Sequence, residues 1–224
     1  MRPRTLSVVV LVESAIDGAA RTWGQFIGQA KAVREIRALL ARPGFDGGAF
    51  LLAGSAGCGK TSLGWLIARE LACDFHIQEI DGDQCSVERV RDIVREMTLT
   101  TFDGRFRVYL VNECQNCTPR AVQALLTTLE HRPPKVLFIF TTTTESDSLF
   151  GEYCGPFHRR CKCRDFTNQG QAELQAKRLV QIANAEGLNG HNGDSLAVAM
   201  KIVRAARNNF RESIQQVDKG AMLV

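Results

Sequence analysis

The feature that most constrains this chain is a glycine-rich segment at residues 54–61, which reads Gly-Ser-Ala-Gly-Cys-Gly-Lys-Thr. It matches the pattern G-x-x-x-x-G-K-[ST], in which glycines let the backbone curl so that successive N–H groups point at phosphate oxygens. A short apolar run at residues 50–53 precedes it, and apolar residues at helical spacing follow it. This strand–loop–helix context favours a phosphate-binding loop over the alternative, a glycine-rich turn with an incidental lysine.

The parts of this loop have distinct predicted roles. Lys60 would reach the β and γ phosphates of a nucleotide, and the Thr61 hydroxyl would bind Mg²⁺. The same N–H groups and Lys60 would lower the pKa of the Cys58 thiol, so we predict a reactive thiolate that bound nucleotide protects. The predicted phosphate-binding residues are Gly54, Ser55, Ala56, Gly57, Cys58, Gly59, Lys60, Thr61 and Ser62.

The rest of the chain alternates strand-like and helix-like segments as far as residue 166. Further strands are predicted at residues 76–81, 107–111, 136–142 and 163–166, and helices between them. Strands that alternate with helices predict an α/β fold with a parallel sheet flanked by helices. From residue 167 onward only helical patterns follow. We therefore predict two domains, a P-loop domain at residues 1–166 and a small all-helical domain at residues 167–224.

Composition excludes several classes of protein. The 224 residues carry 28 Lys and Arg against 24 Asp and Glu, a net charge of +4 that does not by itself indicate nucleic-acid binding. A membrane helix needs about 20 apolar residues in a row, far more than any run here, so we expect no membrane partner. The N-terminal stretch resembles a signal peptide only weakly, because Glu13 interrupts it. Eight cysteines are too sparse for a disulfide scaffold and indicate reduced thiols in a cytoplasmic protein.

A second candidate site stands where the third strand ends, at Asn112 and Glu113. P-loop ATPases place two acids here, the first helping to hold Mg²⁺ and the second activating water. Asn112 offers an oxygen without charge, although Mg²⁺ prefers carboxylate, and a unit charge lost about 4 Å from the metal costs up to ~4 kcal/mol at an effective dielectric near 20. We therefore predict that Asn112 is a weak metal ligand and Glu113 the catalytic base, and that Asn112→Asp speeds a slow hydrolysis. The alternative for Glu113 is a solvated carboxylate.

The glycine-rich loop, followed along the chain by Asn112 and Glu113, resembles the motifs of AAA+ ATPases of the clamp-loader family. Residues 2–6 resemble the family's opening R-P-x-T-L, and residues 22–29 resemble a segment ending in G-Q that lies near the adenine. The two pieces are continuous in the family, whereas residues 7–21 separate them here. The resemblance implies that ATP is the nucleotide and that Gly28 and Gln29 contact it.

Three further positions take roles from the resemblance alone. Thr141-Thr142 resembles the sensor 1 position, which orients the attacking water, and the role is assigned to Thr142. Residues 158–161 resemble the S-R-C motif with Arg159 in place of serine, which makes Arg160 an arginine finger acting on the ATP of a neighbouring subunit. Residues 208–211 resemble sensor 2, with Arg211 reaching the γ-phosphate. The alternatives are ordinary strand-end threonines and solvated surface arginines.

Cysteine spacing raises the question of zinc. The pairs Cys114/Cys117 and Cys161/Cys163 would form one site only if the end of the sheet met the loop that carries the finger arginine. Bacterial members of the family carry a zinc module between the P-loop and the third strand. That module is absent from this chain, which has only two cysteines there: Cys73 and Cys85.

The resemblance also implies partners and a function. The implied partners are other clamp-loader subunits in a hetero- or homo-oligomer, a sliding clamp, and primed DNA reached through the assembly. Basic residues at 159–164 would contact a neighbouring subunit or DNA phosphates. The family's helical collar is not matched, so we expect a truncated chain or a different assembly. The predicted function is an Mg-dependent ATPase subunit of a clamp loader in DNA replication. A hydrolysis-weak, nucleotide-gated scaffold and a AAA+ ATPase of another DNA-processing complex remain alternatives.

Overall fold

A parallel five-stranded sheet organises this computed structural model, which describes residues 22–99, 101–143, 149–190 and 195–223. The strand order is β2-β3-β4-β1-β5, and every pairing is parallel. The α/β fold class predicted from the sequence is therefore confirmed. The strands are β1 (Gly47–Gly54), β2 (Ile77–Asp81), β3 (Arg107–Asn112), β4 (Val136–Thr142) and β5 (Lys162–Phe166). The resemblance noted at residues 2–6 lies outside the described residues.

Helices connect the strands and continue after the last one. Those that flank the sheet are α1 (Ala30–Leu40), α2 (Lys60–Leu71), α3 (Val87–Met97), α4 (Pro119–Glu130) and α5 (Cys154–Arg160). Those that follow are α6 (Ala172–Ala185), α7 (Ser195–Ala205) and α8 (Phe210–Asp218). Ser86 and Thr118 cap two of these helices, since their hydroxyls accept hydrogen bonds from the first turns of α3 and α4.

The sheet separates two apolar cores, because successive side chains of a strand point to opposite faces. Phe138 and Phe140 of β4 pack on one face, together with α3 and α4. Leu137 and Ile139 pack on the other face, against the helix that follows the glycine-rich loop. By this alternation Thr141 lies on the face of α2 and Thr142 on the opposite face.

Several predicted strand boundaries differ from the observed ones, and the difference at β2 has a local cause. His76 was expected to begin the second strand, but it closes a single 3₁₀ turn at Asp74–His76, and β2 begins at Ile77. The reason is a local hydrogen bond, in which the His76 N–H donates to the Cys73 carbonyl at 2.9 Å. His76 therefore lies at the edge where the strands start.

The last three helices share an apolar cluster of their own, built on residues such as Leu179, Val203 and Ile214. This cluster is distinct from the two cores of the sheet, and the predicted domain boundary at residues 166 and 167 stays a prediction. Among the described helices, none is both long enough and apolar enough to cross a bilayer.

Candidate nucleotide-binding site

The glycine-rich loop runs from the end of β1 to the start of α2, in a tight space between two other parts of the chain. Gly57 and Gly59 have φ of +74° and +96°, values that favour glycine. A Cβ on Gly57 would stand 1.9 Å from Asn209 Oδ1, and one on Gly59 would stand 3.1 Å from the Phe26 ring. The loop is therefore confined by the segment near residue 26 on one side and by the start of α8 on the other.

Lys60 is held at the centre of this loop. Its side chain is buried, and Nζ donates hydrogen bonds to the carbonyls of Gly54 at 2.8 Å and Ser55 at 2.9 Å. Burial lowers the pKa of Lys60; the charge of Glu113 opposes this shift and that of Arg211 adds to it. Glu113 and Arg211 thus lie within electrostatic reach of the loop lysine, although they are distant in sequence.

Asn112, at the end of β3, is part of a hydrogen-bond network beside the loop. Its Oδ1 accepts a hydrogen bond from the Thr61 hydroxyl at 3.4 Å and another from the Thr141 hydroxyl at 3.1 Å. Its Nδ2 donates to the carboxylate of Glu79 on β2. This network orients the amide oxygen toward Thr61, which is where the sequence predicted the metal ion.

Glu113 begins the turn that follows β3, in a left-handed backbone conformation with φ of +47°. Its backbone N–H donates to the Thr141 hydroxyl at 3.2 Å. Its carboxylate accepts hydrogen bonds from Gln115 Nε2 at 2.6 Å and from the Thr143 hydroxyl at 3.2 Å. The acid predicted to activate water is thus held by two uncharged donors beside the loop.

The three threonines at the end of β4 divide between the two faces of the sheet. Thr141 contacts Asn112 and Glu113, and Thr143 contacts the Glu113 carboxylate. Thr142 is fully buried on the opposite face from Thr141. The role of Thr142 as sensor 1 stays a prediction.

The region near Gly28 and Gln29 contacts the segment that leads from β5 to α6. Gln29 Nε2 donates to the Thr167 carbonyl at 2.7 Å, and a Cβ on Gly28 would stand 2.5 Å from Gln171 Oε1. Asn168 Nδ2 reaches the carbonyl of Ala56 in the loop at 3.4 Å. The predicted adenine-side residues, the loop and this connecting segment therefore meet at one place.

The residues present fit a magnesium nucleotide. The loop supplies the positive charge of Lys60 and a curled backbone for the phosphates. Thr61 and Asn112 supply oxygen ligands that suit Mg²⁺. On the side where the adenine is predicted, Asn168 Oδ1 and Gln171 Oε1 are buried acceptors without a hydrogen-bond partner in the described part of the chain. Such acceptors suit the amino hydrogens of a base.

Comparisons with known proteins agree with this geometry. A family model described as DNA polymerase III, delta subunit, matches residues 53–150. The tau subunit of DNA polymerase III from Salmonella typhimurium is 32% identical over 195 residues, which are 76% of this chain and 29% of that protein. The small subunit of replication factor C from Halobacterium salinarum is 30% identical over 169 residues, 73% of this chain and 49% of that protein. These similarities support membership of the clamp-loader family of AAA+ proteins.

Two facts limit what these similarities mean. The chain spans about a third of the gamma and tau subunits that it matches, 32% and 29% in two of them. The Thermotoga maritima RuvB Holliday junction branch migration motor superposes with a TM-score of 0.66 over 90% of this chain and 64% of that one, at 21% identity. At such low identity the superposition shows the fold alone.

Arg160 is paired within its own chain. It ends α5, where Nη2 donates to Glu130 Oε2 at 2.9 Å and Nη1 to the Pro156 carbonyl at 3.0 Å. The next strand starts at Lys162, paired with Phe50, so Arg160 lies toward the starting ends of the strands. The loop lies beyond their carboxyl ends, and Arg160 is therefore placed away from its own subunit's loop.

Arg211 is on α8, which meets the loop at its first turn. Asn209 caps this helix, accepting a hydrogen bond from the Glu212 N–H at 3.3 Å, and also lies against Gly57. Arg211 follows two residues later and is exposed. Its effect on Lys60 places its charge toward the loop, as the resemblance to sensor 2 implies, and its contact with nucleotide stays a prediction.

The expectation of an activated Cys58 thiolate is wrong. Cys58 is 6% exposed, and burial raises the pKa of its thiol, an effect larger than the opposing charge of Lys60. The two cysteine pairs weighed as a zinc site, Cys114/Cys117 and Cys161/Cys163, do not form a metal-binding cluster. Within the described ranges, a different trio of potential ligands comes close together: Cys73, His76 and Asp103.

Sequence reasoning missed several residues at this site. Asn168 and Gln171 contact the loop or its neighbours without belonging to a pattern, and Phe26 stands in the segment 22–29 without having been singled out. Glu79 stands in a predicted strand and Asn209 in the segment that resembles sensor 2, but nothing in the sequence indicated that their side chains reach Asn112 and Gly57. These contacts depend on distant segments meeting in space.

Proposed function

We propose that this chain is an ATP-binding and ATP-hydrolysing subunit of a sliding-clamp loader that acts in DNA replication. The observation that carries the proposal is the meeting of Lys60, Thr61, Asn112 and Glu113 at one edge of the sheet. Ligands of open α/β sheets bind outside the carboxyl ends of the strands, and all four residues lie there. Family membership supports the ATPase activity, and the gamma, tau and replication factor C relatives support the assembly.

Each residue has a role that follows from its position. The loop N–H groups and Lys60 bind the phosphates, while Thr61 and Asn112 supply oxygens to Mg²⁺, which when bound neutralises charge on the β and γ phosphates. Glu113 accepts a proton from the attacking water, once its carboxylate turns from Gln115 toward that water. Gly28 and Gln29 lie on the adenine side.

Arginines from two subunits complete the proposed site. Arg211 approaches from α8 of the same chain and stabilises the charge that develops on the γ-phosphate. Arg160 serves a neighbouring subunit, because it is placed away from its own loop. Its present partner, Glu130, is mostly exposed, and exposed ion pairs are weak, so Arg160 exchanges Glu130 for phosphate at little cost.

A second candidate is a nucleotide-gated scaffold that hydrolyses ATP poorly. Two observations favour it: Asn112 stands where a carboxylate would hold Mg²⁺, and the Glu113 carboxylate is already engaged by Gln115 and Thr143. Both candidates bind ATP and join the same assembly. They differ in the rate of the chemical step.

Two measurements test the proposal. In calorimetry with Mg-ATP, Lys60→Ala should abolish binding, and Lys31→Ala, which removes an exposed lysine on α1, should leave it unchanged. Single-turnover hydrolysis with candidate partner subunits then separates an ATPase from a scaffold. A tagged chain should also capture polymerase subunits and a sliding clamp. Equal ATP affinity in Lys60→Ala and wild type contradicts nucleotide binding at the loop, and capture without a clamp or polymerase subunits contradicts the assigned machine.

A further inference from the structure

We propose that Cys73, His76 and Asp103 form a zinc-binding site at the end of the sheet opposite the nucleotide loop. The three donor atoms (a thiol sulfur, a ring nitrogen and a carboxylate oxygen) all lie within 4.8 Å of one another. None of these residues takes part in the proposed ATP site. The site also differs from the zinc module of bacterial relatives, since it uses one cysteine and two residues of other types.

The distances suit a tetrahedral ion after small side-chain adjustments. Ligands that stand 2.0 to 2.3 Å from a tetrahedral zinc ion are roughly 3.3 to 3.8 Å from one another. His76 Nε2 and Asp103 Oδ1 are 3.7 Å apart, which is within this range and too long for a hydrogen bond. Rotation of the Cys73 and Asp103 side chains, which are less buried than His76, brings the third donor inward.

His76 gives an independent reason for a ligand. It is 3% exposed, yet neither ring nitrogen has a hydrogen-bond partner in the described part of the chain. A buried polar group without a partner is costly, and native proteins leave few of them. A metal ion bound to Nε2 supplies a partner for that one of the two buried ring nitrogens.

The backbone already holds the three residues in place. The 3₁₀ turn that ends at His76 fixes Cys73 and His76 relative to each other, through the 2.9 Å hydrogen bond between their backbones. The Arg105 N–H donates to Asp103 Oδ1 at 3.0 Å and orients the carboxylate. The Phe106 N–H donates to the Leu71 carbonyl at 3.3 Å and ties the two segments together. Because these backbone hydrogen bonds already fix the three residues, binding of a metal ion would require little further loss of conformational entropy.

The donor set selects zinc. One thiolate, one imidazole and one carboxylate are ligands that Zn²⁺ accepts together, whereas Mg²⁺ and Ca²⁺ require oxygen alone. Three protein ligands leave a fourth position for water. Phe75 and Phe102, 81% and 77% exposed, contact His76 with ring centroids 5.4 and 4.6 Å away and line the site with apolar surface. Binding there ties the turn before β2 to the loop before β3.

The test measures metal binding directly and does not depend on ATPase activity. Metal-free protein is titrated with Zn²⁺ and with Co²⁺, which reports a thiolate ligand through charge-transfer absorption. We expect one ion per chain and a higher Tm with zinc. Cys73→Ala and His76→Gln should each weaken binding by at least about 100-fold, because even partners outside the ligand shell contribute 10- to 100-fold. The controls Cys154→Ala and His131→Gln should bind as wild type does.

Several results would overturn the proposal. They are the absence of zinc binding at one ion per chain, equal binding by wild type and Cys73→Ala, or loss of binding in the Cys154→Ala control. Circular dichroism checks that each variant folds. If His76→Gln does not fold, Asp103→Asn replaces it, because this change keeps the size of a side chain that is less buried than His76 and removes the ligand charge. Asp83→Asn is its matched control. These outcomes leave ATP binding at the loop untouched, so the two proposals fail separately.

Discussion

The side-chain amide of Asn112 donates a hydrogen bond to the carboxylate of Glu79 on the neighbouring strand. Only an amide can make this contact, because a carboxylate at position 112 would have no hydrogen to donate and would face a second negative charge. Asn112, which stands where the family has an acid, therefore makes a contact with Glu79 on β2 that an acid could not make. This contact changes what a substitution at position 112 is expected to do.

The first prediction refines the expectation that Asn112→Asp speeds hydrolysis. An aspartate alone strengthens Mg²⁺ binding but is repelled by Glu79, so the single variant should gain little. Asn112→Asp combined with Glu79→Gln restores a hydrogen bond between the strands, in the opposite direction, and should hydrolyse ATP at least about tenfold faster than the single variant, equivalent to ~1.4 kcal/mol. Single-turnover rates at saturating Mg²⁺ measure this, with Glu79→Gln alone as the control. Equal rates for the single and double variants would contradict the role given to Glu79.

The second prediction concerns the pH dependence of Cys58 alkylation. The raised pKa keeps the thiol protonated at neutral pH, and the nucleophile is the thiolate. Cys58 should therefore be alkylated more slowly than the half-buried Cys154. Its alkylation rate should rise only at a pH above the pKa of an ordinary thiol. Peptide mass spectrometry after timed labelling gives both rates, and denatured protein should show no difference between them. Faster labelling of Cys58 in the folded chain would show that Lys60 outweighs burial.

The third prediction separates the threonines at the end of β4. Thr141 hydrogen-bonds Asn112 and the backbone of Glu113, so Thr141→Ala should weaken Mg-ATP binding as well as hydrolysis. If Thr142 is the sensor, Thr142→Ala should slow hydrolysis and leave ATP affinity nearly intact. Thr141→Ser and Thr142→Ser, which keep the hydroxyl, are the matched controls. A Thr142→Ala variant with the wild-type single-turnover rate would remove Thr142 from the catalytic residues.

The fourth prediction tests the contact between the loop and α8. Gly57→Ala places a methyl group against Asn209 and also imposes alanine at a positive φ, which costs roughly 1 to 2 kcal/mol. Gly44→Ala is the control, because its φ of +76° is similar and nothing lies within 4 Å. Gly57→Ala should lose more stability to denaturant than Gly44→Ala, because Asn209 must shift, and only Gly57→Ala should lose ATP affinity by more than about tenfold. Equal ATP affinity in the two variants would mean that α8 does not confine the loop.

The fifth prediction concerns Arg160 between subunits. Arg160→Ala should leave ATP affinity unchanged and flatten the rise of activity per chain with protein concentration, and Arg159→Ala is the exposed neighbouring control. A finger arginine supplied by a neighbour contributes about 10³- to 10⁵-fold in related systems. Glu130→Gln, which frees Arg160 from its ion pair, should keep or raise the activity.

Mixing two inactive variants gives the sharpest form of this test. Arg160→Ala retains Glu113, and Glu113→Gln retains the finger arginine, so an interface between the two can rebuild one complete site. Activity should reappear in the mixture at concentrations where wild-type chains associate. A mixture that recovers none would show that Arg160 does not act on a neighbouring subunit.

The sequence alone predicted the elements whose formation depends on neighbours along the chain. The loop at residues 54–61 joins an apolar strand to an amphipathic helix, and this local pattern was sufficient to predict the fold class and the place of Lys60. The caps at Ser86 and Thr118 were predictable for the same reason, since each hydroxyl bonds an N–H only three residues away. Such interactions can be read directly from spacing.

Tertiary structure decided the chemical environment of those residues. Whether Cys58 is reactive depends on burial by packed segments, and the orientation of Asn112 depends on a carboxylate 33 residues away. The partner of Arg160 and the meeting of Cys73 with Asp103 likewise join distant positions. A pKa or a ligand set is fixed by desolvation and by charges within a few ångströms, and spacing along the chain does not record which distant side chains come that close.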